Sequence, residues 1–306
     1  MKRHIKIGTV FLSILIFITA CSKSDTAVNN GENGNEAYSR IKTIDPPDDF
    51  KGNIADINDD RSGVELKSGD TYAVITVKDY GEIICKLYPE AAPEGVQNFI
   101  DLADSGYYSG TVFNRVFKDF IVQGGAPADE SDSSAEPEKS ISAEYNPKMR
   151  HYYGALCYAD AAGANGSQFY IVAKKTFEDV SEDDIISKLA WSDNEISEVR
   201  EYLEQADSDE EKEYLQQYLD YYGTMQEILA FNQLALEERT EEMEKKYRAV
   251  GGIPSSDGGY TVFGQTVKGF EVLDAISETE VEENIYGVFC RPVQEIVISS
   301  VEIKTA

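Results

Sequence analysis

The chain has 306 residues, 42% of them apolar, enough for one large cored domain with an addition or for two domains. Its 28 basic residues face 56 acidic ones, a net −28, and such a surface repels a phosphate backbone and excludes ordinary nucleic-acid binding. With only two histidines, His4 and His151, a zinc site built on several imidazoles is also excluded, and no other metal-ligand pattern or cofactor motif stands out.

The N-terminus reads as a targeting segment. Lys2, Arg3 and Lys6 precede a short apolar run over 7–18, followed by Ile18-Thr19-Ala20-Cys21. This is the pattern of a secretory signal over 1–20, and the run is short for a spanning helix. Ile-Thr-Ala-Cys resembles the lipobox of bacterial lipoproteins, which implies cleavage before Cys21, its lipidation, and a chain exported and anchored on the extracytoplasmic face of a membrane. Loss of three cations would take the charge to −31. Residues 21–65 are poor in apolar groups and rich in Asn, Asp, Ser, Gly and Glu, which predicts a disordered tether.

Beyond the tether, 72–77 and 83–88 are strand-like, and Asp79-Tyr80-Gly81 between them predicts a hairpin. Pro93 suits the first turn of a helix and Gly106 its exit, with Val96, Phe99, Ile100 and Ala103 at helical spacing. Further strands are predicted over 111–117, 121–123, 154–158, 168–173, 260–264 and 293–303, with a short helix over 267–276. Many strands with two short helices suggest a closed antiparallel barrel. Cys85, Cys157 and Cys290 lie in strand-like apolar runs; export permits a disulfide, but three thiols leave one over, and buried free thiols are the favoured reading.

Residues 175–249 break the pattern. Ser181/Asp184, Ser192/Glu195 and Ser208/Glu211 each place an acid three residues after a serine, as at helix starts. From Leu215 onward Tyr218, Leu219, Tyr222, Met225, Leu229, Leu236, Met243 and Tyr247 recur at helical steps; one continuous helix would be roughly 50 Å long, with Gly223 as a candidate bend. Between Lys175 and Val250 there are 22 acidic and 8 basic residues, a net −14 that is half of the chain's total.

One apolar stretch, 113–122, contains Arg115. A permanent cation is costly inside a sheet unless something uses it; elsewhere the default would be a buried stem with its head in solvent. Around it stand Asn98-Phe99, Phe113-Asn114-Arg115, Phe120-Ile121-Val122-Gln123-Gly124-Gly125, Ser167-Gln168-Phe169-Tyr170-Ile171 and Tyr260-Thr261-Val262-Phe263-Gly264. Together and in this order they resemble the cyclophilin-type peptidyl-prolyl isomerases over about 66–174 and 250–304. The resemblance implies a mainly β fold, an eight-stranded antiparallel barrel capped by two helices, here carrying an α-helical insertion over 175–249.

It also implies roles. Arg115 would donate to the prolyl nitrogen and favour the twisted amide, with Gln123 orienting it. Phe120, Ile121, Phe169, Tyr170 and Tyr260 would form or border the proline pocket. Gln168, Ala159 and Asp160 would hold the substrate backbone. Clients would be proline-containing polypeptides, and no cofactor is needed. Ser255 and Ser256 stand where the family often has a tryptophan or another large group followed by leucine, which opens one wall and argues against tight cyclosporin binding. The departure also leaves open a catalytically weak binding or chaperone module using the insertion. The insertion interrupts a connection that in the family borders the proline pocket, so its helices, with exposed Tyr/Leu/Met stripes, are expected to stand beside the site and help hold clients; a self-packed helical hairpin is the equal alternative.

Overall fold

A computed structural model describes residues 41–127, 141–159, 166–284 and 287–306. The hairpin forms where the two strand-like runs and the Asp79-Tyr80-Gly81 turn predict it. Strands β2 (Thr71–Val77) and β3 (Gly81–Leu87) pair antiparallel, with Ala73 opposite Cys85 and Ile75 opposite Ile83. Residues two apart point the same way along a strand, so Ala73, Ile75, Val77, Ile83, Cys85 and Leu87 all enter one interior cluster. The turn between the strands uses left-handed backbone at Asp79, φ 66°, where aspartate is among the tolerated residues.

The remaining strands of the main sheet are β4 (Thr111–Phe117), β5 (Ile121–Pro127), β7 (Ala155–Tyr158), β8 (Phe169–Val172), β9 (Val262–Lys268) and β12 (Ile298–Thr305). They form an eight-stranded antiparallel curled sheet in the order β12-β2-β3-β9-β7-β8-β5-β4. Its two edges approach each other: Val112 bridges Val297, and the Phe113 and Gly110 N–H groups donate to the Ile296 and Ile298 carbonyls, each at 2.9 Å. Curling in this way satisfies edge groups that would otherwise stand open. Two short pairs lie outside this sheet: β1 (Ile41–Thr43) with β6 (Ala143–Tyr145), and β10 (Val281–Glu283) with β11 (Phe289–Pro292).

Helices α1 (Pro93–Asp104) and α5 (Phe270–Ser277) add Val96, Phe99, Val272, Leu273 and Ile276 to the interior. The start of α1 has Ala92 in place of a capping side chain; the Glu144 carboxylate from β6 accepts the free N–H groups of Glu94 and Gly95 instead, at 3.2 and 2.8 Å. A carboxylate there also complements the helix dipole. The sequence placed the second short helix at 267–276. In the fold Val267 still belongs to β9, and Gly269 at φ 87° makes the break; a Cβ there would meet the Glu82 carbonyl oxygen at 2.1 Å.

Two expectations need correction. The described part of the tether, 41–65, is built onto the fold. Asn53 is fully buried, donating to the Arg150 carbonyl at 2.8 Å and to Gln265 at 3.0 Å. Asp56 accepts from the Tyr88 hydroxyl at 2.9 Å and pairs with Lys86 at 3.2 Å. These polar anchors, with Ile41 and Ile57 buried in apolar clusters, dock this segment despite its poor apolar content.

The second correction concerns the insertion, which comprises α2 (Glu182–Glu204), α3 (Asp209–Glu237) and α4 (Glu241–Val250). Ser181 and Asp184 make a full capping box, and Ser208 caps α3 through the Glu211 N–H. Ser192 starts nothing: it lies inside α2 and donates to the Leu189 carbonyl at 2.7 Å. The long apolar stripe is not one helix either, since the chain restarts at Thr240, which caps α4 through the Met243 N–H. Nor is the stripe an exposed face. Leu215, Tyr222, Met225 and Leu229 of α3 are buried against Ile185, Ile196 and Val199 of α2, with Trp191 edge-on to Tyr222 at 5.7 Å. The helices use their stripes on each other and, at Tyr247, on Ile57 and Tyr152, so the client-holding argument from exposed stripes falls.

Candidate active site

Strands β4 and β5 pair with register shifts between Val112 and Phe113 and between Phe113 and Arg115. The irregularity re-aims the strand, as bulges do, and sets Arg115 directly opposite Gln123. Arg115 Nη1 donates to Gln123 Oε1 at 3.0 Å, and Gln123 Nε2 donates to Gln168 Oε1 at 3.0 Å. Both glutamines are buried. The guanidinium carbon lies 5.3 Å from the Phe117 ring centroid, within cation–π range. Burial lowers the Arg115 pKa from the usual arginine value, with Cys290 and Tyr260 opposing the shift; an arginine nonetheless keeps its charge. The result is a mostly desolvated cation held by Gln123, with Phe117 and Cys290 beside it.

Gln123 is also the register partner of Tyr170. The face carrying Arg115 and Gln123 therefore continues into an apolar cluster that contains Ile121, Ala159, Tyr170 and Tyr260, with Phe120 packed against it. Phe120 meets Phe117 edge-on at 6.4 Å, and Tyr170 meets Tyr260 edge-on at 6.0 Å. The Ala159 N–H donates to the Gln168 carbonyl at 3.0 Å. Residues far apart in the chain meet here because alternate positions on β4, β5 and β8 share one side of the sheet.

Phe169 is not among them, which corrects its assignment to the pocket. Being one residue from Tyr170, it takes the opposite face and is fully buried inside, edge-on to Phe99 at 5.7 Å, Tyr108 at 5.6 Å and Phe113 at 6.1 Å. Asp160 and Cys21 lie outside the described residues.

Residues that the sequence did not single out also reach the site. Cys290 of β11 sits by Arg115; burial raises its thiol pKa and the guanidinium partly offsets this. No local pattern marks it, because β11 meets β4 only in the folded chain. His151 is buried, its ring nearly parallel to that of Tyr170 at 6.2 Å and edge-on to Tyr260 at 6.4 Å. Cys85, Cys157 and Cys290 are all free and buried.

The chain is similar to known proteins. The family model for cyclophilin type peptidyl-prolyl cis-trans isomerases matches residues 72–197 and 247–303. A candidate peptidyl-prolyl cis-trans isomerase of Staphylococcus saprophyticus is 30% identical over 253 residues, covering 82% of this chain and 98% of that protein. Its counterpart in Staphylococcus aureus is 28% identical over 242 residues, covering 78% and 95%. A solved Cryptosporidium parvum cyclophilin type isomerase, crystallised in the presence of the dipeptide Ala-Pro, superposes with a TM-score of 0.47 at 20% identity, over 77% of this chain and 99% of that one.

Proposed function

The chain belongs to the cyclophilin-type peptidyl-prolyl cis-trans isomerase family, and from that premise we propose that it turns X–Pro bonds of polypeptide clients with Arg115 as the electrostatic group. Amide resonance sets a rotation barrier of ~18–20 kcal/mol. In the twisted state the prolyl nitrogen recovers its lone pair and accepts a hydrogen bond that the planar amide cannot accept well. A guanidinium aimed at that nitrogen binds the transition state better than the ground state, with the charge organised in advance. Arginine suits the task because its fork is planar and always charged. A ~10⁵-fold acceleration needs about 7 kcal/mol, which one oriented donor beside an apolar ring site can supply. No proton transfer enters this chemistry.

The observation that carries the reading is the chain Arg115–Gln123–Gln168, two bonds of 3.0 Å, beside the cluster that holds Ile121 and Tyr170. The pyrrolidine ring would lie against Phe120, Ile121, Tyr170 and Tyr260, with its nitrogen toward Arg115. The test is isomerisation of a proline peptide by wild type and Arg115→Ala. Loss of one such donor is expected to lower kcat/KM by about 10²–10³. A variant as fast as wild type overturns the role of Arg115; a wild type no faster than the uncatalysed peptide makes the protein a binding module.

Export and lipid anchoring through Cys21 complete the reading, which places the clients outside the cytoplasm. The support is the basic–apolar–Ile-Thr-Ala-Cys order of the first 21 residues. Radiolabelled palmitate should enter the wild type and not Cys21→Ser; equal labelling of both rejects the anchor.

A further inference from the structure

We propose that the helical insertion is the rear support of the proline pocket, with Asp257 and His151 as positioning residues for Tyr170 and Tyr260. This rests on the isomerase reading and adds a role for the segment that the barrel does not need for its own topology.

The argument centres on one buried carboxylate. Asp257 follows the short turn Pro254–Ser256. Its Oδ1 accepts the His151 backbone N–H at 2.9 Å and lies 3.0 Å from His151 Nδ1. The Tyr247 hydroxyl of α4 is 2.8 Å from both carboxylate oxygens, and Arg150 Nη1 is 3.5 Å from Oδ2. Burial works against the ionised form, but the hydrogen bond from His151 and the charge of Arg150 prevail and hold the carboxyl below its usual range. An ionised carboxylate only accepts, so it draws the proton of His151 to Nδ1 and fixes the plane of the ring. That plane lies 18° from the plane of Tyr170, and the ring edge meets Tyr260. Two aromatic residues of the pocket thus rest on a ring whose orientation Asp257 sets.

The insertion holds the other side of the same loop. Asn232 of α3 donates to the Asp257 carbonyl, and Arg150 Nη1 donates to the Ala235 carbonyl of α3 at 2.8 Å. Gly258 and Gly259 lie flat against α3: a Cβ on Gly258, at φ 85°, would meet the Phe231 carbonyl oxygen at 2.3 Å, and one on Gly259 would meet Ile228 Cγ2 at 2.6 Å. Only glycine allows so close an approach. Ser255 and Ser256, small where the family often has bulk, leave this wall little mass of its own, and the helices behind it provide the stiffness. The network joins Arg150 and His151, which precede β7, the loop before β9, and helices α3 and α4 around Asp257, and partial satisfaction of such a network is costly.

The test uses the full chain with Asp257→Asn and Tyr247→Phe. Tyr247→Phe keeps the ring packed on Tyr152, 4.5 Å away, and removes only the hydroxyl. For a proline peptide, KM is expected to rise about fivefold in Asp257→Asn and about two- to threefold in Tyr247→Phe, with kcat within about twofold because the bonds that join Arg115, Gln123 and Gln168 are kept. Peptide affinity by titration calorimetry should shift in parallel, and it reads the same effect without turnover. Unchanged KM and affinity in variants that merely melt earlier overturn the proposal. If Asp257→Asn does not fold, Tyr247→Phe decides. Wild type and Arg115→Ala run alongside, so an inactive wild type counts against the isomerase reading, while the affinity shift still decides this one.

Discussion

Arg115 and Gln123 face one another across the β4–β5 pair, and Nη1 of the first donates to Oε1 of the second at 3.0 Å. The glutamine is in turn bonded to Gln168, so its amide cannot flip without breaking two bonds. A charged group aimed by a fixed acceptor stabilises a transition state without reorganising during the reaction.

Gln123→Leu should therefore disarm the arginine without removing it. The guanidinium keeps its charge and loses its aim, so kcat/KM is expected to fall by about 10- to 100-fold, or ~1.4–2.7 kcal/mol of barrier. The same assay on Gln123→Glu serves as a check, because an acceptor remains at that position and much of the rate should survive. Equal rates for Gln123→Leu and wild type would sink the idea that this bond orients the catalytic group.

Phe169 and Phe120 should separate stability from activity. Phe169 is enclosed by Phe99, Tyr108 and Phe113, and truncation to alanine leaves a cavity costing about 3–5 kcal/mol. Phe120 is partly exposed beside Phe117. Phe120→Ala should raise KM for proline peptides and shift the urea midpoint far less than Phe169→Ala does. The opposite ranking in a denaturation series would return Phe169 to the pocket.

Asp257 gives a signed expectation for pH. Its folded pKa is lowered, so the unfolded chain binds its proton first as pH falls. Its stabilisation is therefore complete above the unfolded value of about 3.9 and disappears as pH drops through the folded value. The urea midpoint of wild type relative to Asp257→Asn should hold constant from neutrality to about pH 5 and narrow below about pH 4. A difference that widens on acidification would mean that the carboxyl is not held ionised by its partners.

The local signals were legible where the physics is local. Two strand-like runs around a glycine turn gave β2 and β3, and a proline followed by helical spacing gave α1. The serine–acid spacing found the caps of α2 and α3, yet it failed at Ser192, because a serine inside a helix can bond the preceding turn and leave the same pattern in the sequence. Arg115 stood out because a permanent charge in an apolar strand is expensive, and its motif neighbours supplied a use for it. Residues 41–65 were misread because their order depends on partners elsewhere, such as Arg150, Gln265, Lys86 and Tyr88.

By itself the sequence determined the family, through motifs in their order, and the sheet-forming segments and helical character of the insertion, through residue type and short-range periodicity; it also showed a permanent charge, Arg115, inside an apolar strand. Only the tertiary structure decided which face Phe169 takes, that the insertion's apolar stripes are spent on one another and on Ile57 and Tyr152, and that Asp257 joins the helices to His151 behind Tyr170. Those outcomes depend on strand register and on contacts between residues far apart in the chain. A shift of one residue turns a side chain from one face of a sheet to the other, and nothing in a linear pattern records which distant group then receives it.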